Sequence, residues 1–517
     1  MIENNANINI RRGLIKLIKS ELLGEPQIFW KYFLEISKIP RCSEREEKIR
    51  EYVKSEAQKL GFNGSVDKVG NLLVKIPTSD SKKDSKTLIL QSHLDMVCEK
   101  NESIDHDFTK DPLNLKIEKI ENTEWITAEG TTLGADNGVG IAYSLSLMKL
   151  IELGDLSINN LNICFLFTVN EEGGLMGAFN IQKDFVSGKY LINLDSEEDD
   201  RYTIGCAGGI LTHGYIDLKY VDMKDQFENP KVFSFVVKGL QGGHSGVDIH
   251  KERGNAIKCL TRILWRVNKD HHLGIQSLLG GNLHNAIPRE ARSTFCVEKD
   301  QVEEVSKLIN DIKDEIMSQY RDYEPDMELI FKEKKTEKSK IYSQEIKNSL
   351  LNILYAMPHG PMKYHPNNRE LVHTSTNLAA VKIQEKKLEI LTSQRSLENV
   401  TRRIMYETVE SIFRLPSLEI KIEFTQKYPG WKPDFDSNLL KIAKESYNDL
   451  FNSDPVIQTI HAGLECGIIK ESLKDTEMVS LGPSIKDAHS PDERLKIISV
   501  RKVWKLINEI VRKIDAS

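Results

Sequence analysis

The stretch "LNICFLFTVNEEGGLMGA", residues 161–178, joins an apolar run to two adjacent glutamates and two glycines. Its first seven residues indicate a buried strand, because a short continuous apolar run before a turn signal is typical of a strand covered on both faces. Glu171 and Glu172 come at the end of this strand. Adjacent side chains on an extended segment point to opposite faces, so we expect the two carboxylates to have different tasks.

Two other segments have the same layout of an apolar run that ends in polar side chains. They are "TLILQSHLD" at residues 87–95 and "YLINLDSEEDD" at residues 190–200. The intervening "DNGVGIAYSLSLMKLIEL", residues 136–153, has helical periodicity. Apolar strands separated by helices predict an α/β fold with a mixed, mostly parallel sheet flanked by helices. Such sheets bind ligands at the carboxyl ends of their strands, where these polar side chains fall.

The composition changes after residue 212, which indicates an inserted domain. A lysine-rich stretch, "FKEKKTEKSKIYSQ", divides the inserted region near residues 330–345. On each side an NL dipeptide, an alternating strand, a long helix and a final strand follow in the same order. We interpret this as a weak internal duplication of two α+β halves; chance alternation of common elements is the alternative. The predicted domains are a first segment of the α/β domain at 1–212, the inserted domain at 213–425 and a second segment of the α/β domain, expected to be the catalytic one if the chain is an enzyme, at 426–517.

The overall charge argues against two classes of partner. Charged residues make up 29% of the chain, both signs are mixed, and the net charge is −6. We therefore expect no nucleic-acid partner and no binding to an anionic membrane. No apolar stretch is long enough to span a bilayer, and the N-terminal "MIENNANINIRRGLIKLIKSELL" lacks a small-residue cleavage site of a secretory signal.

The cysteines are scattered and form no CxxC pair. The chain has seven of them, at positions 42, 98, 164, 206, 259, 296 and 466. An odd, dispersed set predicts neither a disulfide framework nor a thiolate zinc site. It suits a reducing compartment, so we expect the protein in the cytoplasm.

Five positions offer imidazole or carboxylate ligands at strand ends or tight loops. They are His93, Asp136, Glu172, Asp195 and His489. Imidazole and carboxylate without thiolate suit zinc, manganese or cobalt. A single histidine after a strand is more often structural, and the "GADNGVG" around Asp136 also fits a simple turn with a helix cap. The recurrence of such side chains at the same topological position favours a metal site.

Asp95 follows His93 by two residues on the same predicted strand. Residues two apart on a strand lie on the same face, so the Asp95 carboxylate is placed to orient the His93 ring and to raise its basicity. The alternative is a solvated aspartate at a strand end, which the apolar surroundings make less attractive.

An ordered series of motifs resembles a known family. The motifs are "KIPRCSEREEKI", "DKVGNLLVKIP", "SHLDMV", "TLGADNGVG", "NEEGGLMGA", "LINLDSE", "GGHSG", "NLHNAIPRE", "YPGWKP", "HAGLECG" and "DAHSPDE". Together they resemble the Xaa-His dipeptidases, also called aminoacyl-histidine dipeptidases, cytosolic non-specific dipeptidases or peptidase D. These belong to the two-metal zinc metallopeptidases that include carnosinases and aminoacylases. The resemblance runs from about residue 25 to the C-terminus; a single tripeptide is weak, but the ordered series is specific.

The resemblance implies a centre of two divalent metal ions. Zn²⁺ is the favoured ion, and Co²⁺ and Mn²⁺ are the alternatives. Asp136 would bridge the two ions. His93 and Asp195 would complete one site, and Glu172 and His489 would complete the other. Two ions that share a water lower its pKa and polarise the scissile carbonyl.

Glu171 would then be the general base, which takes a proton from the water and returns it to the leaving amine. The implied reaction is hydrolysis of the peptide bond of unblocked dipeptides, including Xaa-His types such as carnosine. An N-acyl amino acid amidohydrolase or a tripeptidase with the same ligands is the alternative. A non-catalytic metal-binding scaffold is less favoured, because the base is present. The resemblance leaves open whether the chain is a monomer or a homodimer.

The inserted domain would form a lid that contributes to the site. His244, in "GGHSG", would donate a hydrogen bond to the oxyanion of the tetrahedral intermediate. Asn285 and Arg395 would hold the C-terminal carboxylate of the substrate, a suitable task for a guanidinium group. Arg289 and Arg292 are alternatives for the arginine.

The motif "HAGLECG" adds His461 and Glu465 to the expected substrate-binding residues. A dipeptidase must recognise a free amine close to the scissile bond, and a carboxylate is a natural partner for it. We therefore expect Glu465 to bind this amine; a structural acid in a glycine-rich loop is the alternative.

Overall fold

The computed structural model describes residues 18–77, 86–182, 184–335, 339–366 and 368–517. The chain divides into two compact units. The first unit combines Met1–Ile204, Asp434–Gln458 and Ile469–Ser517, and the second combines Gly205–Pro433 with Thr459–Ile468.

The helices are distributed over both units. The α-helices are α1 (Gln27–Ile36), α2 (Glu47–Lys59), α3 (Ala135–Leu153), α4 (Met176–Phe179), α5 (Ala256–Asp270), α6 (Val302–Tyr320), α7 (Gln344–Ala356), α8 (Asn399–Arg414), α9 (Asn438–Phe451), α10 (Glu465–Ser472) and α11 (Ile497–Ala516). Short 3-10 helices lie at Ser20–Leu23, Met223–Asp225, Ile249–Lys251 and Lys299–Gln301. Within the described residues, no helix combines the length and the apolar content that a bilayer crossing requires.

The strands form four sheets within the described residues. The strands are β1 (Gly64–Val66), β2 (Leu72–Ile76), β3 (Lys86–His93), β4 (Leu115–Ile120), β5 (Thr123–Ala128), β6 (Leu161–Thr168), β7 (Tyr190–Asn193), β8 (Arg201–Cys206), β9 (Gly208–Asp217), β10 (Tyr220–Asp222), β11 (Pro230–Lys238), β12 (Gly274–Gly280), β13 (Ala291–Glu298), β14 (Glu328–Glu333), β15 (Lys340–Tyr342), β16 (Gly360–His365), β17 (Asn368–Gln384), β18 (Lys387–Ser396), β19 (Ile420–Tyr428), β20 (Val456–Ile460), β21 (Glu477–Ser480), β22 (Ile485–Lys486) and β23 (Arg494–Lys496). Two of the sheets position the residues of interest.

The first unit is built on a mixed sheet with the order β1-β2-β6-β3-β7-β21-β8-β20. Strand β3 pairs in parallel with β6 and β7, and β7 pairs in parallel with β21. The apolar runs of β3 and β6 are buried, as expected for parallel strands that helices cover on both faces. Residues of α1, α3 and α11 share one hydrophobic core with these strands. The predicted α/β fold class is confirmed.

The second unit contains an antiparallel sheet with the order β14-β11-β13-β12-β17-β18-β9-β19. The order is symmetric about the middle of the sheet. Counted inwards from one edge, the strands are β14, β11, β13 and β12; counted inwards from the other edge, the corresponding strands are β19, β9, β18 and β17. In each group of four strands, a helix comes after the two inner strands along the chain. This helix is α6, after β13, in one group and α8, after β18, in the other. The internal duplication stays a prediction, which this arrangement of strands supports.

The two units differ from the predicted domains in two respects. The chain passes from the first unit to the second after Ile204 and returns to the first after Pro433, whereas the expected boundaries were residues 212 and 425. The segment Thr459–Ile468, expected in the returning catalytic segment, belongs to the second unit. The pairing of β9 with β18 and β19 explains the first difference, because it draws the chain from Gly208 onward into the antiparallel sheet.

The scattered cysteines predict no disulfide framework, but one pair is bonded. Cys42 and Cys98 form a disulfide with a Cα–Cα distance of 5.7 Å, although 56 residues separate them in sequence. A backbone bridge between Cys42 and Met96 brings the two segments together, which spacing along the sequence does not reveal. The five other cysteines are buried free thiols: Cys164, Cys206, Cys259, Cys296 and Cys466.

Candidate metal centre

The carboxyl ends of three neighbouring parallel strands carry the first candidate ligands. His93 is the last residue of β3 and lies in register with Thr168, the last residue of β6. Asp195 follows β7, and the N–H of the intervening Leu194 donates to the carbonyl of Gln91 at 2.9 Å. Because the three strands end at the same edge of the sheet, His93 and Asp195 lie side by side.

Asp136 lies where a tight turn opens α3. Gly134 adopts a left-handed conformation with φ 65°, which suits a residue without a Cβ atom. Asp136 and Asn137 depart from helical dihedral angles, and the peptide bond between them is cis. The amide of Asn137 donates to the Asp195 carboxylate and, at 3.0 Å, to the carbonyl of Leu194. The glycine-rich segment is therefore both the turn and the support of a candidate ligand.

The two carboxylate oxygens of Asp136 face two different histidines. Its Oδ1 lies 2.9 Å from Nε2 of His93, which is also 3.3 Å from Oδ1 of Asp195. Its Oδ2 lies 3.0 Å from Nε2 of His489, which is also 2.9 Å from Oε1 of Glu172. The structure thus brings all five predicted ligands together, with Asp136 in the middle.

The donor atoms of this cluster fit divalent cations. Donor atoms of His93, Asp136 and Glu172 all lie within 4.8 Å of one another. Nitrogen and oxygen donors with bonds of about 2.0–2.2 Å are typical of zinc in proteins. The division of the Asp136 oxygens between two histidines fits one cation on each side of this carboxylate.

The imidazoles in the cluster are strongly basic. Hydrogen bonds to Asp136 and Glu172 raise the pKa of His489 to about 11. Burial lowers the pKa of His93, but the charge of Asp195 and the hydrogen bond to Asp136 outweigh it and raise the pKa well above its usual value. The acids therefore demand compensating positive charge, which a bound divalent cation also supplies.

Asp95 has more contacts than the sequence predicts. It is fully buried, and its Oδ1 lies 3.4 Å from Nδ1 of His93, in line with the expected orienting role. It also accepts the backbone N–H of Glu171 at 3.0 Å and that of Glu172 at 3.1 Å. The hydroxyl of Ser43 donates to Asp95 at 2.8 Å. One carboxylate thus holds both the imidazole and the backbone of the paired glutamates.

The paired glutamates lie in a turn, so the prediction that they continue an extended strand is wrong. Strand β6 ends at Thr168, and Asn170 takes a left-handed conformation with φ 51° that turns the chain. Asparagine adopts this conformation more readily than most residues. The Glu171 carbonyl accepts the N–H of Leu175 at 2.8 Å, which closes the turn. The turn, and not strand alternation, therefore sets the backbone of the two glutamates.

Arg41 is a buried charged residue beside the centre that sequence reasoning missed. Its side chain donates to the carbonyls of Leu94 at 3.1 Å, Asp95 at 2.6 Å and Gly134. Burial lowers the pKa of Arg41 to about 10, and the charge of Glu493 opposes this change. The position of Arg41 in the motif "KIPRCSEREEKI" is the sequence feature that could have pointed to it, but the sequence does not reveal that the guanidinium is buried.

Glu493, in the motif "DAHSPDE", was missed in the same way. Its carboxylate accepts the backbone N–H groups of Leu133 and Gly134 at 2.8 Å and that of Asp136 at 3.2 Å. Burial raises the pKa of Glu493 to about 7, while the hydrogen bonds from Gly134 and Asp136 oppose the change. Since both oxygens accept N–H groups, the carboxylate is the form that fits this place.

In the second unit, His244 is held as a neutral hydrogen-bond donor. Its Nδ1 accepts the backbone N–H groups of Gly246 at 3.2 Å and Val247 at 3.0 Å. Nδ1 therefore carries no proton, and the proton of the neutral ring is on Nε2. Burial and then the charge of Arg395 lower the pKa of His244 to about 4.

Arg395 and His461 belong to the same cluster of the second unit. Arg395 is 6% exposed and donates from Nη1 to the hydroxyl of Tyr428 at 2.9 Å. Its partner across β17 and β18 is Ser375, whose hydroxyl lies 2.7 Å from Nε2 of His461. Burial and then the charge of Arg395 lower the pKa of His461 to about 3. Arg395 is thus a buried cation beside uncharged imidazoles.

The remaining predicted residues of this unit differ in exposure. Asn285 is exposed, and its carbonyl accepts the N–H of Ser245 at 2.7 Å, next to His244. Glu465 is fully buried at the start of α10. His284, which the sequence analysis did not single out, also has its pKa lowered by burial and then by Arg395. Its position next to Asn285 in "NLHNAIPRE" was the available signal.

The depressed pKa of His461 predicts how the stability of the second unit depends on pH. The unfolded state binds its proton near pH 6.5, whereas the folded state does so near pH 3. This contribution to stability is therefore present above pH 6.5 and is lost as the pH falls, by about 1.4 kcal/mol per pH unit for one histidine. We expect calorimetry of His461→Gln to give a shallower loss of stability between pH 7 and pH 4 than wild type. Exposed His250→Gln is the control; equal slopes for His461→Gln and wild type would contradict the assignment.

The chain matches a protein family and known proteins over most of its length. Residues 89–513 match the model of Peptidase family M20/M25/M40. A cytosol non-specific dipeptidase of Escherichia coli (strain K12) is 37% identical over 491 residues, which cover 95% of this chain and 98% of that protein. Among solved structures, an aminoacylhistidine dipeptidase from Vibrio alginolyticus has a TM-score of 0.83 at 35% identity and covers 95% of this chain and 97% of its own.

A more distant match concerns the fold alone. A tripeptidase from Staphylococcus aureus has a TM-score of 0.55 at 17% identity and covers 95% of this chain and 99% of its own. The matches over nearly the whole chain confirm the resemblance that the motifs indicate. Since the family model spans most of the sequence and the Escherichia coli relative is similar over almost its entire length, the chain belongs to Peptidase family M20/M25/M40.

Proposed function

We propose that this protein is a two-metal dipeptidase that hydrolyses the peptide bond of unblocked dipeptides, including Xaa-His types such as carnosine. The observation that carries the proposal is the placement of Asp136, whose two oxygens face His93 and His489. The family membership and the names of the relatives from Escherichia coli and Vibrio alginolyticus support a peptide hydrolase.

The ligand groups follow from the distances around Asp136. His93 and Asp195 share one of its sides, and Glu172 and His489 share the other. We assign each group, together with Asp136, to one divalent ion, with Zn²⁺ favoured by the imidazole and carboxylate donors and Co²⁺ or Mn²⁺ as alternatives. When bound, such ions act as Lewis acids on a water molecule and on the scissile carbonyl.

Glu171 is the proposed general base. Asp95 holds its backbone N–H, while the neighbouring Glu172 directs its own carboxylate to His489. The Glu171 carboxylate accepts a proton from the attacking water and returns it to the nitrogen of the leaving amine. Asp95 supports this step indirectly, since it fixes both His93 and the turn that carries the base.

The second unit supplies the proposed contacts with the substrate. His244 has its ring proton on Nε2 and is suited to donate to the developing oxyanion. The charge of Arg395 lowers the pKa values of His244 and His461, so these imidazoles are uncharged neighbours of the guanidinium, which we assign with Asn285 to the substrate carboxylate. His461, an uncharged imidazole, is a further proposed substrate-binding residue, and Glu465 is the proposed partner of the substrate amine.

The runner-up functions are an N-acyl amino acid amidohydrolase and a tripeptidase, which need the same ligands. A non-catalytic metal-binding scaffold is disfavoured because Glu171 is in place next to the ligand Glu172. Hydrolysis rates for β-Ala-His, other unblocked dipeptides, N-acetylated amino acids and tripeptides separate these alternatives. We expect the unblocked dipeptides to be the best substrates.

The role of Glu171 predicts a variant that keeps its metal and loses turnover. In Glu171→Gln the amide cannot accept the proton, so we expect kcat to fall by about 10²- to 10⁴-fold. Metal analysis together with dipeptide turnover checks this. Glu152→Gln, which removes an exposed carboxylate from α3, is the matched control and keeps wild-type kcat. A Glu171→Gln enzyme that binds two ions and remains fully active would contradict the proposed role of Glu171 as general base.

The two ends of the dipeptide are tested by one set of substrate comparisons. Arg395→Met is expected to lower kcat/KM about ten- to hundredfold, mainly through KM, for dipeptides with a free carboxylate and not for their C-terminal amides. Exposed Arg292→Met is the control. Glu465→Gln is expected to lower kcat/KM only for substrates with a free amine. Wild-type values for Glu465→Gln on free dipeptides mean that its role is structural, and an effect of Arg292→Met that exceeds that of Arg395→Met reassigns the carboxylate site.

We also propose that the enzyme works in the cytoplasm, as the name of the Escherichia coli relative indicates for that protein. The disulfide between Cys42 and Cys98 argues in the opposite direction, because disulfides are rare in reducing compartments. Cell fractionation decides the location. Analytical ultracentrifugation decides between a monomer and a homodimer.

A further inference from the structure

The backbone before α3 is held from both sides by buried charged side chains. Glu493 accepts the N–H of Gly134, and Arg41 donates to the carbonyl of the same residue. A Cβ atom on Gly134 would come within 2.6 Å of the Arg41 guanidinium, and one on Gly138 would come within 2.9 Å. The absence of side chains at both glycines therefore makes room for the guanidinium.

Glu493 also connects two segments that are far apart in sequence. Its carboxylate binds Leu133, Gly134 and Asp136, which lie 357 to 360 residues earlier in the chain. Its own backbone is fixed as well, since its N–H donates to Ser490 at 3.0 Å and its carbonyl accepts the hydroxyl of Thr127 at 2.6 Å. His489 and Glu493 lie on the same loop. The Glu493 side chain therefore links the loop that carries His489 to the turn that carries Asp136.

We propose that Glu493 is a positioning residue that sets the Asp136 carboxylate between His93 and His489 and thereby governs metal affinity. Arg41 assists by donating to the carbonyl of Gly134, the residue whose N–H Glu493 accepts. This inference rests on the proposed function, because it assumes that Asp136 binds metal. Neither Glu493 nor Arg41 is itself a ligand in this account.

The chemistry of the three N–H groups requires a carboxylate. Oε2 of Glu493 accepts from Leu133 and Gly134, while Oε1 accepts from Asp136. A glutamine offers one acceptor oxygen and one NH₂ group, which is a donor. In either orientation the NH₂ group faces a backbone N–H, so one part of the turn loses its support. The Asp136 backbone then shifts relative to His93 and His489, which misaligns the bridging carboxylate.

The test is a competition for Zn²⁺ between the full-length holoenzyme and a chromophoric chelator. For Glu493→Gln we expect the dissociation constant of Zn²⁺ to rise by about 10- to 100-fold, the usual effect of losing a group that orients a ligand. We also expect kcat to recover towards the wild-type value at saturating Zn²⁺, with KM unchanged. Recovery by added metal separates a positioning role from a general loss of folding.

Glu324→Gln in the second unit is a closely matched control. Glu324 is also buried and accepts two backbone N–H groups, from Gln241 at 2.7 Å and from Gly254 at 2.8 Å. We expect this variant to lose thermal stability and to keep wild-type Zn²⁺ affinity. If Glu493→Gln does not fold, Glu493→Asp replaces it, because its shorter side chain cannot reach all three N–H groups.

The outcomes distinguish this inference from the proposed function. A wild-type protein that binds none of Zn²⁺, Co²⁺ and Mn²⁺ overturns both. A wild-type protein that binds Zn²⁺, with unchanged affinity in the folded Glu493 variant, overturns the positioning role alone. Equal loss of Zn²⁺ affinity in the Glu324 and Glu493 variants also overturns it, since the effect then follows from lost stability.

Discussion

The structure of the site depends on one carboxylate that two histidines approach from opposite oxygens. Asp136 lies 2.9 Å from His93 and 3.0 Å from His489, although the second histidine is 353 residues further along the chain. This arrangement explains why a sheet, a kinked helix start and a distant loop must all converge. It also explains the need for buried charges around the turn, since a displaced Asp136 carboxylate would lose its contacts with both His93 and His489.

The two units have opposite electrostatic characters. The first unit concentrates carboxylates, which raise the pKa values of His93 and His489 and favour a cation. In the second unit, burial and then the charge of Arg395 lower the pKa values of His244 and His461. A peptide substrate carries a polarised carbonyl and a terminal carboxylate, and these two environments suit one group each. The proposed metal ligands belong to the first unit, and the proposed substrate contacts belong to the second.

The sequence predicts which side chains gather around Asp136, but not the residues that support them. His93 and Asp195 follow apolar runs, so the rule that parallel strands end at one edge places them together. Arg41 and Glu493 escape such rules, because burial of a charge depends on backbone groups that meet only in the folded chain. The conformation of Asn170, which places the paired glutamates in a turn, is likewise set by tertiary contacts, including the Glu46 carboxylate that accepts its N–H at 2.9 Å.

The central claim is that Asp136 is shared by two metal ions. Metal content per chain, measured for purified wild type, His489→Ala and Asp136→Asn, tests it most directly. The account predicts two ions in wild type, one in His489→Ala, and loss from both sites in Asp136→Asn, since that variant weakens the ligand common to both. An Asp136→Asn protein that retains two tightly bound ions would contradict the account.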